Sequence, residues 1–219
     1  MKILVFSDSH LRLPFEEKKF KWLEKNLGQA DQIIINGDFW DGYVITFNQF
    51  INSPWRHLFP LLKSKKTIYI YGNHDKKKFS NGGAEIFSNI QTTRHELKLN
   101  NKVFIFEHGD QIRPSLDGLL NFEKPPEAIM KKLRDIDDLM VKKFGKTYLK
   151  LMFSRRNRST KKKLKPLLRQ NQIFICGHNH YAEIDEKNQF ANSGIILGGL
   201  AQYLLIEDGR MRLKEEWYD

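Results

Sequence analysis

Five apolar runs in this chain each stop at a short polar cluster. Ile3-Leu4-Val5-Phe6 meets Ser7-Asp8-Ser9-His10, and Ile33-Ile34-Ile35 runs into Asn36-Gly37-Asp38-Phe39-Trp40-Asp41. Thr67-Ile68-Tyr69-Ile70 leads to Tyr71-Gly72-Asn73-His74-Asp75. Val103-Phe104-Ile105-Phe106 precedes Glu107-His108-Gly109-Asp110, and Ile173-Phe174-Ile175-Cys176 ends in Gly177-His178-Asn179-His180. Runs this short and apolar on both faces read as strands of a sheet covered on both sides. Between the first two, Pro14 fits the first turn of a helix that runs through Leu27, with Phe15, Phe20, Trp22 and Leu23 on its apolar face and Gly28 ending it. The aromatic stretch from Tyr43 to Leu62 also reads as helical, interrupted at Pro54. Strands alternating with helices indicate a layered α/β fold.

Beyond Asn81-Gly82-Gly83 the pattern changes. His95 to Leu99 alternates, Asn100-Asn101 turns, and Val103 to Phe106 follows as a hairpin partner. Residues 115–170 are helix-like and very basic, and read as a helical, cap-like insertion in a single domain spanning 1–219. After Cys176, β pattern returns in Tyr203 to Ile206, the turn Asp208-Gly209, and Met211 to Trp217.

Composition adds less. Of 219 residues, 40% are hydrophobic and 29% charged, which suits a packed chain rather than a disordered one. Lys and Arg number 37 against 26 Asp and Glu, a net charge of +11, which favours anionic partners such as phosphorylated metabolites, nucleic acid or acidic lipid surfaces without choosing among them, or simply keeps the chain in solution. The single cysteine, Cys176, lies in an apolar run and reads as a buried thiol in a reducing compartment. The first apolar run is too short for a signal peptide, and no stretch approaches the roughly 20 apolar residues of a membrane span. The expected location is the cytoplasm.

The polar clusters bring together Asp8, His10, Asp38, Asn73, His74, His108, His178 and His180, five of the seven histidines of the chain among them. Strand ends on one sheet edge converge in space, so these residues can meet although they are distant in sequence. Oxygen and nitrogen donors without thiolate suit Mn, Fe, Zn or Ni, and the set is too large for one ion. Two ions sharing a carboxylate would use it. Taken singly, each of these residues could be a solvated loop group or a core histidine. His57 and His95 lie in no cluster and read as surface or packing residues.

In their order, Asp8-Ser9-His10, Gly37-Asp38, Gly72-Asn73-His74-Asp75, His108-Gly109 and Gly177-His178-Asn179-His180 resemble the motifs of the calcineurin-like metallophosphoesterase superfamily. The resemblance implies a four-layer α/β/β/α sandwich of two mixed sheets. It implies two divalent metal ions, Mn first, with Fe, Zn, Ni or Mg as alternatives. Asp8, His10 and His180 would hold one, Asn73, His108 and His178 the other, and Asp38 would bridge. A metal-activated hydroxide would then attack phosphorus, with His74 stabilising the phosphoryl oxygens or protonating the leaving group and Asp75 orienting its ring. Gly37, Gly72 and Gly177 would let the backbone turn beside the metals. Asp41, Asp110 and Asp117 read as groups behind the ligands or on the surface, Asp110 being best placed to orient a ligand histidine.

Three details are similar to the UDP-2,3-diacylglucosamine hydrolase branch: Gly37-Asp38-Phe39-Trp40-Asp41, His108-Gly109-Asp110, and the basic helical insertion where those enzymes carry an acyl-binding cap. The branch commonly has Arg where this chain has His74, and the general phosphoesterases have His. The expected activity is therefore hydrolysis of a phosphodiester or pyrophosphate, with a UDP-diacylglucosamine-like lipid as one substrate. A nuclease or cyclic-nucleotide phosphodiesterase, or a non-catalytic metal-binding scaffold, are the alternatives. Within the insertion, Tyr148 to Phe153 is apolar and seven of the twelve residues from Ser154 to Lys165 are Lys or Arg. Residues 148–165 could take an acylated nucleotide or touch the anionic inner face of a membrane, could contact nucleic-acid phosphates, or could simply be a solvated helix packed on the domain.

Overall fold

The computed structural model of the protein describes residues 1–114 and 124–218. Asp117 and the start of the insertion at Ser115 lie outside the described residues. The first half contains β1 (Lys2–Phe6), α1 (Glu17–Gly28), β2 (Gln32–Asn36), α2 (Phe47–Asn52), α3 (Phe59–Ser64), β3 (Ile68–Ile70), α4 (Lys77–Ser80) and β4 (Ile90–Thr92). Then follow the hairpin β5 (Arg94–Leu99) and β6 (Lys102–Glu107), the long helix α5 (Glu127–Leu164), and β7 (Gln172–Cys176). Strands β8 (Glu183–Asp185), β9 (Phe190–Asn192), β10 (Ile196–Leu197), β11 (Leu200–Glu207) and β12 (Arg210–Trp217) complete the chain.

Two mixed sheets result. One has the order β10-β11-β1-β2-β3-β4 with β12 also paired to β11, and the other the order β5-β6-β7-β9-β8. Alternate residues of each strand face opposite sides. Ile3, Val5, Ile34, Ile68 and Ile70 therefore meet Phe104, Phe106, Ile173 and Ile175 in a core between the sheets. On the other face of the first sheet, Leu4, Phe6, Ile33 and Ile35 pack on Trp22, Leu23, Phe50, Trp55 and Leu58 from its helices. Ile105, Phe174, Cys176 and Phe190 of the second sheet cover Leu164 of α5. Helix, sheet, sheet and helix stack as the α/β/β/α sandwich expected, and burying one Ile or Phe in such a core is worth roughly 1.5–3 kcal/mol.

The helical expectations are refined in three places. Helix α1 begins at Glu17, not at Pro14, because Leu11 is tied to the β2 loop: its N–H donates to Phe39 O and its carbonyl accepts from Asp41 N. The segment 43–62 is helical and interrupted before Pro54 as expected, though α2 starts only at Phe47, where Thr46 and Gln49 form a capping box, and a single-turn stretch Pro54–Leu58 leads into α3. Helix α5 is bent at Gly145, which adopts φ 50°, ψ −133°. Beyond the bend, Leu149 and Phe153 are buried, whereas Leu151 and Met152 are exposed. The apolar stretch 148–153 is thus divided between core and surface.

Candidate metal centre

All five polar clusters follow the carboxyl ends of strands that run parallel within their sheets: β1, β2 and β3 in one, β6 and β7 in the other. The two sheets are stitched together there. Asn36 Nδ2 donates across to Ile175 O at 3.0 Å, and the His178 N–H donates to Asp8 at 3.0 Å. Asp8, His10, Asp38, His178 and His180 all have left-handed backbone, with φ between 44° and 58°. Non-glycine residues there are uncommon, and their concentration at one place marks strain held for a purpose. Gly72 and Gly177 serve the same crowding: a Cβ would stand 2.2 Å from Asp38 Oδ1 at the first and 2.4 Å from Asp8 Oδ2 at the second.

The side chains converge in two overlapping sets. Asp8 Oδ1 lies 3.1 Å from His180 Nε2 and 4.0 Å from His10 Nε2. Asp38 Oδ2 lies 3.9 Å from His10 Nε2 and 3.2 Å from His108 Nε2. Asn73 Oδ1 is 3.2 Å from His108 Nε2 and 2.9 Å from His178 Nδ1. The far nitrogens define the tautomers: His108 Nδ1–H donates to Asn36 O and His178 Nε2–H to Arg113 O. In the neutral His178 ring the Nδ1 lone pair then points at the lone pairs of Asn73 Oδ1, an arrangement that calls for a cation, while His108 Nε2 faces Asp38 Oδ2 and Asn73 Oδ1. His10 Nε2 is buried with no hydrogen-bond partner, which fits the same need.

The electrostatics agree. Burial lowers His10 well below the ordinary imidazole range, helped by Arg134 and His74; burial and His108 push His178 down to about 3. Both are thus neutral, as an imidazole ligand must be. Burial opposes ionisation of Asp8 and Asp38, but His180 and His108 hold Asp8 low, and His108 and His74 hold Asp38 low. His108 itself is raised well above its usual range because Asp38 and Asp8 outweigh its burial. Positive charge is favoured between these carboxylates.

A family model described as calcineurin-like phosphoesterase matches residues 1–182, most of the chain. The chain belongs to that family. It is accordingly a hydrolase of phosphate esters, in a family that works with divalent metals. Similar solved structures include the phosphoesterase Yfce of E. coli, 15% identical with a TM-score of 0.49 over 100% of both chains. An archaeal phosphodiesterase is 18% identical, with a TM-score of 0.47 over 99% of this chain and all of its own. Vps29 of Entamoeba histolytica, complexed with zinc, is 14% identical, with a TM-score of 0.45 over 100% of both chains. No curated protein matches the chain.

All seven expected ligands of the phosphoesterase stand in this centre, and His74 stands beside it, its ring centroid 4.6 Å from that of His10. The partner of the His74 ring is not Asp75. Asp41 Oδ1 accepts from His74 Nδ1 at 2.9 Å, and Asp41 is fully buried. Asp75 turns to the backbone, accepting from Phe39 N at 2.7 Å and Gly72 N at 2.6 Å. Burial and the nearby Asp38 push its carboxyl up to about 7, so it is a brace for the loops and not the orienting group expected. Asp110 is likewise replaced in its expected role, since His108 Nδ1 is held by Asn36 O. His57 is exposed and His95 half-buried against Phe106, as expected of residues outside the clusters. Sequence reasoning passed over Arg134, which α5 buries beside His10. Asp41 carried one signal, its place three residues after Asp38 in the same cluster. Arg134 carried none, being one cation among many on a basic helix.

Proposed function

We propose that this phosphoesterase holds two divalent ions, manganese most readily, and hydrolyses a phosphodiester or pyrophosphate bond. The position of Asp38 supports this above all: one carboxylate oxygen lies between His10 Nε2 and His108 Nε2, at 3.9 and 3.2 Å. Asp8, His10 and His180 would hold one ion, Asn73, His108 and His178 the other, and Asp38 both. Oxygen and imidazole donors without thiolate suit Mn, Fe, Zn or Ni, manganese being the ion the family resemblance puts first, and Cys176 is turned away, accepting from Asn192 Nδ2. When bound, such a pair supplies Lewis-acid charge at the phosphoryl oxygens and a water acidic enough to be a nucleophile near neutral pH. The His74 N–H donates to Asp38 Oδ1 at 2.8 Å and so aims the other oxygen at the ligands. Burial works against protonation of His74, but Asp41 and Asp38 raise its pKa, so the ring keeps a proton to give to a leaving oxygen.

For the substrate, a UDP-diacylglucosamine-like lipid accords with the motifs around Asp38 and His108. It also accords with α5, which exposes Ile129, Leu133, Ile136, Leu139 and Phe144 among lysines. The same surface suits peripheral contact with an anionic membrane from the cytoplasmic side. No described helix is long and apolar enough to cross a membrane. Purified protein with Mn should cleave bis(p-nitrophenyl) phosphate or UDP-diacylglucosamine, and Asp38→Ala should abolish turnover. Activity indifferent to that substitution or to a chelator would overturn the proposal. Competition by DNA or RNA at physiological salt would favour a nuclease instead.

A further inference from the structure

Helix α5 rides over the centre and is bolted to the loops on both sides of it. Before the bend, Asp135 and Asp138 pair with Arg12, and Asp138 Oδ1 accepts from Gly198 N. Beyond it, Asn157 Nδ2 donates to Tyr181 O, and Thr160 Oγ1 accepts from Asn179 Nδ2. This places Arg134 inside the site, its side chain 5% exposed.

The guanidinium of Arg134 is poorly matched to what surrounds it. Its Nη2 lies 3.3 Å from His10 Nδ1. Its Nε is 3.4 Å from Asp41 Oδ2 and its Nη1 3.9 Å from Asp137 Oδ2, and neither nitrogen makes a hydrogen bond. Asp41 Oδ2 is also buried without one. Five N–H donors buried with so few acceptors is costly for an arrangement that serves packing alone. The one hydrogen bond is itself conditional. Donation from Arg134 makes His10 Nδ1 an acceptor and leaves the ring proton on Nε2, the atom facing Asp8 and Asp38. A His10 that ligates through Nε2 carries its proton on Nδ1, where Asp41 Oδ2, 3.7 Å away, is the available acceptor. Arg134 then has no lone pair to meet at His10, and its fork is released toward the site.

We infer that Arg134 is a substrate-binding residue that grips the non-bridging oxygens of the phosphoryl group brought to the metal centre. A planar fork with free N–H groups, buried beside His74 and the Asp8–His10–His180 half of the site, matches tetrahedral oxyanion geometry better than any lysine. In this role α5 belongs to the active site and is not merely a cover for it. The inference rests on the dimetal reading of the previous section.

The test uses full-length protein loaded with Mn, and measures its metal content, its melting temperature, the binding of inorganic phosphate, and kcat and KM on bis(p-nitrophenyl) phosphate. Arg134→Met keeps most of the volume, and Arg134→Lys keeps the charge without the fork. Arg158→Ala, an exposed cation of the same helix, is the control. The expected result is unchanged metal content, phosphate affinity lower by about 10- to 100-fold in Arg134→Met, the factor for charged hydrogen bonds, and partial recovery in Arg134→Lys. Added guanidinium should restore part of the turnover of Arg134→Met and none in the control. Unchanged phosphate affinity in folded variants would overturn the inference, as would a gain in affinity, which would make Arg134 a plug. Loss of bound metal would also overturn it, by showing that Arg134 acts through His10 and Asp41. Wild-type protein that neither binds phosphate nor turns over would instead count against the dimetal reading itself.

Discussion

Asp41 shows what a single buried carboxylate can set. One of its oxygens holds His74 Nδ1–H at 2.9 Å while the other lies 3.4 Å from Arg134 Nε. Burial would lower the pKa of His74, and Asp41 is the foremost group that raises it instead. Asp41→Asn keeps an acceptor in place and removes the charge, so His74 should lose its proton at lower pH. An acid that must be protonated to act loses activity as pH rises through its pKa. The basic limb of the kcat/KM profile should therefore move to lower pH, with activity above it down by about 10- to 100-fold, the usual cost of removing such a supporting group. An unmoved limb would remove His74 from the proton transfer. The candidate ligands were legible because each follows an apolar run that ends in polar residues. Asp41 was legible only as a neighbour and Arg134 not at all. The left-handed backbone of Asp8 and His10 is likewise invisible in a sequence, because nothing local to Asp or His demands it.

At the scale of elements, the succession of strands and helices along the first half and the hairpin of β5 and β6 were readable. Strands β4, β8, β9 and β10 were not, since two or three residues cannot display a period of two. The bend in α5 was hidden for a different reason: one glycine in a helical pattern is ordinarily tolerated. At Gly145 it is required, because φ 50° with ψ −133° is closed to side chains and a Cβ would meet the Trp217 ring at 3.1 Å. Gly145→Ala should cost about 1–3 kcal/mol in denaturant unfolding, the range for a strained backbone position. By straightening α5 it should also displace Arg134 and raise KM. Farther along, Lys161 joins α5 to β8 through Glu183 at 2.7 Å and Asp185 at 2.6 Å. The Lys161 hydrogen bond is the main cause holding Asp185 below its ordinary pKa. A lowered carboxylate stabilises the fold above its unfolded pKa, and that contribution fades as pH falls through the lower folded value. Lys161→Met should thus be less stable than wild type near neutral pH, by up to about 1 kcal/mol for so accessible a cluster. The gap should close below the ordinary Asp range of pH 3.8. A gap independent of pH in melting experiments would assign Lys161 to packing alone.

Across the whole molecule, the candidate ligands are divided between the two sheets. Asp8, His10, Asp38 and Asn73 come from loops of the first sheet, and His108, His178 and His180 from loops of the second. Ions bound there would clamp the layers where lone pairs of Asn73 Oδ1 and His178 Nδ1 now face each other at 2.9 Å, and would take the place of the proton that His108 Nε2 shares with Asp38 Oδ2 at 3.2 Å. Because the unfolded chain does not assemble this set, binding is linked to folding. Each ion present at 100 times its dissociation constant should add about 2.7 kcal/mol of stability. In a domain of this size that corresponds to roughly 5–10 °C in melting temperature. Chelation of the Mn-loaded protein should reverse the shift, and Asp38→Ala, which removes the proposed bridging carboxylate, should abolish most of it. Asp75→Asn should behave differently: its bonds run to Phe39 N and Gly72 N, so it should lower the baseline melting temperature while keeping the Mn-dependent increment. A melting temperature that does not respond to Mn or chelator in wild-type protein would mean that the converging residues do not form an ion-binding centre. The same response in wild type and Asp38→Ala would place the ion elsewhere in the molecule.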